Sequence, residues 1–224
     1  MRGRTRSLWL SAVVAGSLAA TIPTHVAADV GPVPTDLACV HVSPAVSTSC
    51  PGPPPTQSGG GSASHTAVAS TTAARFNAST TPALARALVA EVNRIRRAHG
   101  LRRLAYSAKL ASAGTAHAHA LAAAGQFTHV WPTTGRLFGS WIREFYPSRG
   151  FRSWGAGENL LWAAPSFSPP SAVQQWLDSP THRRLMLSRM WREIGIGVVT
   201  AAAAPGAYGE RDVQIAAAEF GVRR

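Results

Sequence analysis

The chain has 224 residues, with 22 Lys and Arg against 10 Asp and Glu, for a formal net charge of +12. Two cysteines exclude a miniprotein stapled by disulfides, and the length allows a self-sufficient hydrophobic core. So basic a chain suits anionic partners, but its arginines are dispersed and no nucleic-acid module is present, which argues against specific nucleic-acid binding.

The chain opens with MRGRTR, basic and free of acids, followed by the apolar run SLWLSAVVAGSLAATI and small residues through Ala28. That order is the pattern of a secretory signal peptide over residues 1–28. The run is shorter than the ~20 apolar residues a spanning helix needs, so no transmembrane segment is expected. Removing it takes away Arg2, Arg4 and Arg6 and lowers the net charge from +12 to +9. The remaining charge fits either adhesion to an anionic envelope polymer or plain solubility.

Residues 29–80 are rich in Pro, Ser, Thr and Gly and poor in large apolar side chains, as in SPAVSTSCPGPPPTQSGGGSAS. Such a segment cannot offset its backbone entropy by burial and reads as a disordered stalk. Cys39 and Cys50 both lie in it, and in an exported protein a local disulfide between them is the expected use.

Residues 81–224 make one domain. TPALARALVAEVNRIRRAHG is predicted as a helix, with Leu84, Leu88, Val92 and Ile95 on one face and Gly100 as its stop. A second helix is predicted from the cap Ser107 to Gly125, with a face of mostly small residues (Leu110, Ala113, Gly114, Ala118, Leu121) that demands close packing. It also carries His117 and His119, which point to different faces and read as core-edge or solvent histidines. Residues 126–157 read as irregular, aromatic and glycine-punctuated, with a helical turn at LFGSWIREF. Trp131, Trp141 and Trp154 in this stretch are core residues or the walls of a ligand groove.

AVQQWLDS and the segment from Pro180 are predicted as short helices, and REIGIGVVTA with DVQIAAAEFG as an antiparallel hairpin. Ser179 before Pro180 is a helix-start signature that puts His182 in the first turn, where the helix field disfavours an imidazolium. A neutral ring there serves either as a cavity ligand or as a hydrogen-bonded core-edge residue. Helices first and strands last point to an α+β fold.

Six segments, in order, resemble the CAP superfamily of cysteine-rich secretory proteins, antigen 5 and pathogenesis-related 1 proteins, also called the SCP domain. They are NRIRRAHGLRRLAYSAKL, QFTH (126–129), GENLLW (157–162), AVQQWLDSPTHRRLML (172–187), REIGIGVV (192–199) and the terminal DVQIAAAEFG. The resemblance implies an α-β-α sandwich with a small antiparallel sheet between helical layers, in the form of the shorter bacterial branch. It implies a central cavity holding His129, Glu158 and His182, in which His129 and His182 bind Zn2+. Eukaryotic members place a further glutamate three residues after the helix tryptophan. Here that position, three after Trp176, is Ser179, and Asp178 lies beside it as the nearest acid for the cavity.

Glu158 follows Gly155, Ala156 and Gly157 and enters an apolar run, so its carboxylate needs a buried partner. Asn159 is expected to tie loop backbone together, and Trp176 to pack structurally. Two histidines and a glutamate are the ligand types of an open zinc site, although no short spacing such as HExxH fixes them. The expected function is a secreted, monomeric and non-catalytic binding module with a lipid or anionic envelope polymer as its partner. The alternative is a zinc-dependent extracellular hydrolase with Glu158 as general base on a metal-bound water.

Overall fold

The computed structural model describes residues 77–224 in full, together with the backbone of 38–43 and 46–47. The expected export signal at 1–28 and the expected pairing of Cys39 with Cys50 lie outside the described residues and side chains. The described elements run β1 (Ala38–Ser43), β2 (Val46–Ser47), β3 (Asn77–Thr80), α1 (Pro82–Ala98), β4 (Ala105–Tyr106), α2 (Ala108–Ala124), α3 (Phe138–Phe145), β5 (Trp154–Ala163), α4 (Pro169–Asp178), α5 (Pro180–Met186), β6 (Glu193–Ala204) and β7 (Arg211–Arg223).

Local chemistry accounts for the helix ends. Ser107 accepts a hydrogen bond from the Leu110 N–H to start α2, and Gly125 ends it in the left-handed region at φ 63°. Ser168 and Ser171 form a reciprocal capping box that starts α4 ahead of the expected AVQQWLDS. Pro180 takes the first position of α5 as expected, but the Ser179 side chain makes no cap bond there.

The strands form one sheet in the order β2-β1-β5-β7-β6-β3, antiparallel throughout, with the two-residue β4 alone running parallel to β6. Alternation along the strands sorts their side chains between two faces. Leu161, Ile194, Ile196, Val198, Ala218 and Phe220 face α1, α4 and α5, where Leu88, Val92, Trp176 and Trp191 complete the core. Leu160, Val199, Ile215 and Ala217 face α2, and Ala156 meets α3. The result is the α-β-α sandwich that the resemblance implies.

Glycine sets the spacing of the second layer. A Cβ on Gly195 would overlap the Ala111 backbone, and one on Gly197 would overlap that of Thr115. A Cβ on Gly114 would lie 2.5 Å from the Ala217 carbonyl oxygen and 2.8 Å from Gly197 N. Helix α2 therefore rests on β6 and β7 backbone to backbone, as its face of small residues demands.

Two expectations are corrected. The stretch through residue 157 is not irregular to its end. Trp154–Ala163 is a ten-residue strand, buried at every position and paired with β7 along its whole length. Covered on both faces, it lacks the polar-apolar alternation by which half-exposed strands are recognised. The segment read as a stalk also contributes to the sheet. Ala38–Ser43 pairs with β5 and Asn77–Thr80 with β6. Exposed sheet edges recruit strands through backbone hydrogen bonds, whatever the apolar content of the added segment.

Gly197→Ala is expected to destabilise the fold by about 1–3 kcal/mol, because the helix backbone it would strike cannot rotate away as a side chain could. Denaturant unfolding of the variant measures this, and a midpoint equal to wild type would mean that α2 stands off the sheet.

Candidate functional site

Glu158 sits in mid-β5 directly opposite Glu219 of β7, so the two carboxyls project from the same face toward α2. Helix α2 lies close enough on the glycines of β6 that His117, one turn beyond Gly114, reaches them. Glu158, Glu219 and His117 are fully shielded from solvent, and His129 is 2% exposed. His129 arrives from the loop after the Gly125 helix stop, and Trp141 of α3 fixes it by donating Nε1–H to its carbonyl at 3.0 Å.

Both oxygens of Glu158 are engaged. His117 Nδ1 donates to Oε1 at 2.6 Å, and His129 Nδ1 donates to Oε2. An ionised carboxylate only accepts hydrogen bonds, so each ring carries its proton on Nδ1. For His129 this leaves Nε2 buried without a partner. Burial opposes ionisation of Glu158, but His117 and then His129 outweigh it, and the carboxyl is lowered to about 2.

Glu219 is driven the other way. Burial, and then the charge of Glu158, raises its carboxyl well above the ordinary range. Neither Glu219 oxygen meets a donor. Its neighbour is another carboxylate, so the two can bond only when one holds a proton, and Glu219 is the one that does. The aromatic wall is equally close. The Trp131 ring stacks on His117 at 5.7 Å between centroids, and Trp141 lies 4.5 Å from the same imidazole.

The structure brings together His129 and Glu158 of the sequence-predicted set and adds His117 and Glu219. It does not bring His182 or Asp178 to them. Helix α5 packs on the opposite face of the sheet, where the Asn159 amide donates to the His182 carbonyl at 3.1 Å. The His182 side chain lines a depression of about 230 Å3 there, with Leu161, Trp176, Asp178 and Pro180. Asp178 is exposed and accepts from Gln174 at 2.8 Å. The sheet thus lies between the segment that carries His182 and the His129–Glu158 pair. Trp176 Nε1 donates to the Leu160 carbonyl at 3.1 Å on that same side.

His117, read from the sequence as a core-edge or solvent histidine, is instead fully buried and bonded to Glu158. It falls on the small-residue face of α2, between Gly114 and Leu121, where only a buried residue fits. Glu219 carried the same signal as Glu158, a lone acid inside an apolar run. His119 points outward as expected.

A residue set that fits a divalent cation is therefore His117, Glu158 and Glu219. Each offers one ligand atom, and the three atoms lie within 4.8 Å of one another. One imidazole and two carboxylates are zinc-type donors. His129, hydrogen-bonded to Glu158 from behind, would orient that carboxylate in the way outer partners hold metal ligands.

The opposed shifts of the two glutamates predict opposite pH effects. A depressed carboxyl adds stability above its unfolded pKa, near 4.3, which is lost as pH falls through the folded value near 2. A raised carboxyl costs nothing below its unfolded pKa and weakens the fold increasingly as pH rises above it. Glu219→Gln should therefore raise the melting temperature at neutral pH and lose that advantage below about pH 4. Glu158→Gln should cost about 1–3 kcal/mol at neutral pH by facing an amide N–H toward an Nδ1–H. Melting curves across pH check both, and variants that shift in the same direction at pH 7 would refute the assignment.

The sequence matches the family model described as CAP, the cysteine-rich secretory protein family, over residues 89–208. Among solved structures, an outer surface protein from Borrelia burgdorferi is similar at a TM-score of 0.52 and 19% identity, covering 66% of this chain and 99% of that one. An extracellular protein containing an SCP domain from Bacillus anthracis str. Ames aligns at 26% identity and a TM-score of 0.45, covering 64% of this chain and 41% of that one. A cysteine-rich secretory protein from Staphylococcus aureus aligns at 17% identity and a TM-score of 0.41, covering 62% of this chain and 39% of that one. No protein of curated function matches the chain significantly. The family match spans more than half of the 224 residues, and the first of these structures shares the same layered fold: the chain belongs to the CAP family of cysteine-rich secretory proteins.

Proposed function

We propose that this chain is an extracellular, non-catalytic binding module whose buried cluster lodges a divalent cation, zinc by donor type, in a structural role. The observation that carries this reading is the burial of the whole cluster: His117, Glu158 and Glu219 expose nothing and His129 2%. A hydrolase must bring its general base within hydrogen-bond reach of a reacting water or substrate. Here both Glu158 oxygens are already held by imidazole N–H groups, and the ring faces of His117 are covered by Trp131 and Trp141.

A divalent ion at this place would supply positive charge to two adjacent carboxyls, one of which must otherwise stay protonated. His117 would bind it, Glu158 and Glu219 would bind and balance it, and His129 would keep Glu158 oriented. The export signal pattern, and the outer surface and extracellular descriptions of two similar proteins, support an extracellular setting. Among the described residues no helix is long and apolar enough to cross a membrane. The place this reading offers a lipid or an anionic envelope polymer is a surface groove of about 600 Å3, lined by Thr81, Ala85, Arg86, Tyr106, Thr115 and His119 among others.

Zinc titration by calorimetry and metal analysis of the purified exported protein test the reading, together with peptidase, esterase and glycan-hydrolase assays. The expected result is binding that is lost in His117→Ala and kept in His182→Ala, with no turnover in either. Metal-dependent turnover in the wild type, abolished in a Glu158→Gln variant that still folds, would establish the hydrolase instead.

A further inference from the structure

On the opposite side of the molecule from the histidines, helix α1 ends beside a second unusual group. Arg96 is fully buried, yet among the described residues no carboxylate meets it. Its Nε donates to the Arg102 carbonyl at 3.2 Å, and its Nη1 to the carbonyls of Met186 at 2.6 Å and Ser188 at 3.0 Å. Those bonds clamp the end of α5 to the turn after α1. They leave Nη2 buried without a partner.

The surroundings add positive charge. Arg96 forms a recess of about 260 Å3 with Gly100, Leu101, Arg102, Arg189 and Arg192. Four of those six residues are arginines and none is acidic. Arg102 and Arg189 are exposed, and among the described residues no side-chain hydrogen bond or ion pair engages either one. Arg192 spends its Nη1 on the carbonyls of Arg189, Met190 and Trp191. Burial and then the charge of Arg192 lower the Arg96 pKa, while desolvation and then Arg224 and Arg102 lower that of Arg192.

Elsewhere three arginines do meet acids: Glu91 meets Arg94, Glu144 meets Arg136, and Glu193 meets Arg223. Solubility needs charges dispersed over the surface, not four guanidiniums gathered around one concavity. A structural clamp explains the three Arg96 bonds but neither its orphan nitrogen nor the three arginines at the rim.

We propose that this recess is a binding site for a phosphate group, with Arg102, Arg189 and Arg192 gripping its oxygens from the rim over the buried charge of Arg96. Guanidinium forks match the spacing of phosphate oxygens and bond them in bidentate fashion, which a scatter of single charges cannot do. The recess has room for one phosphate and several waters, at about 30 Å3 each. A carboxylate would also be attracted, but it presents two oxygens to a recess lined by three rim arginines. The site is independent of the histidine cluster, from which the sheet separates α1 and α5.

The test titrates inorganic phosphate into the exported protein and follows backbone amide shifts by NMR. The Arg102→Gln/Arg189→Gln variant removes two rim arginines whose side chains make no structural bonds. An Arg149→Gln/Arg152→Gln variant, in an exposed loop, removes the same charge elsewhere. Saturable shifts are expected at residues 100–102 and 189–192, with affinity about tenfold weaker in the rim variant and changed less than about twofold in the control. Vesicles of phosphatidylcholine with and without phosphatidylglycerol form the second arm. If the rim variant alone releases the protein from the anionic vesicles, the phosphate is that of a lipid headgroup. If both variants lower vesicle binding equally while the NMR difference persists, the group is carried on a soluble ligand. Equal weakening of phosphate binding by the two variants, or no saturable shift at the recess, overturns the proposal.

Discussion

A carboxylate sealed away from water must be held by donors, and Glu158 dictates the build of the sheet face on which it lies. It needs two N–H groups from outside its own strand, because its backbone neighbours are already committed to the ladder. One comes from α2, which reaches it only because glycines let helix and sheet touch backbone to backbone. The other comes from a loop that must turn sharply at Gly125 and be pinned by Trp141. Helix packing, loop path and aromatic wall thus serve one buried charge. Glu219 is the residual tension in this arrangement, a second acid that fits only by keeping its proton.

The parts of the fold that could be read from the sequence were those with local causes. Ser107 and Gly125 bracket α2 as their chemistry demands, and the apolar stripe of α1 buries Leu88 and Val92. The alternation of the last two strands gives their hairpin. Strand β5 escaped because its reasons are tertiary. Glycines, Glu158 and Asn159 look like loop chemistry until β1 and β7 are seen on either side, when they become a central strand with no free face. The short strands before α1 escaped for the same reason, since sheet edges recruited them, not their own composition.

The site was half legible. His129 and Glu158 meet, and Asn159 and Trp176 brace the neighbouring helices from the far face of the strand. The second histidine is His117 and not His182, and the difference lies in one structural fact. Adjacent residues on a strand point to opposite sides, so Glu158 looks toward α2 while Asn159 looks toward α5. A sequence can place His182 in the first turn of a helix, but it cannot say which layer that helix joins. For His117 the cue was present in the small-residue face around it, and its weight depended on knowing that α2 lies over Glu158.

The backbone contact between α2 and β6 also bears on how anything reaches the cluster. At Gly114, Gly195 and Gly197 no side chain separates helix from sheet, which fixes the height of α2 over the strands there. The floor is a sheet, continuous on both sides of Glu158. The one boundary built from side chains on a loop, among the described residues, is the panel of Trp131 and Trp141, carried by residues 126–137 and α3. On that side the cover of the cluster is aromatic and is carried by the connection between α2 and α3, the part of the enclosure that is not a strand of the sheet.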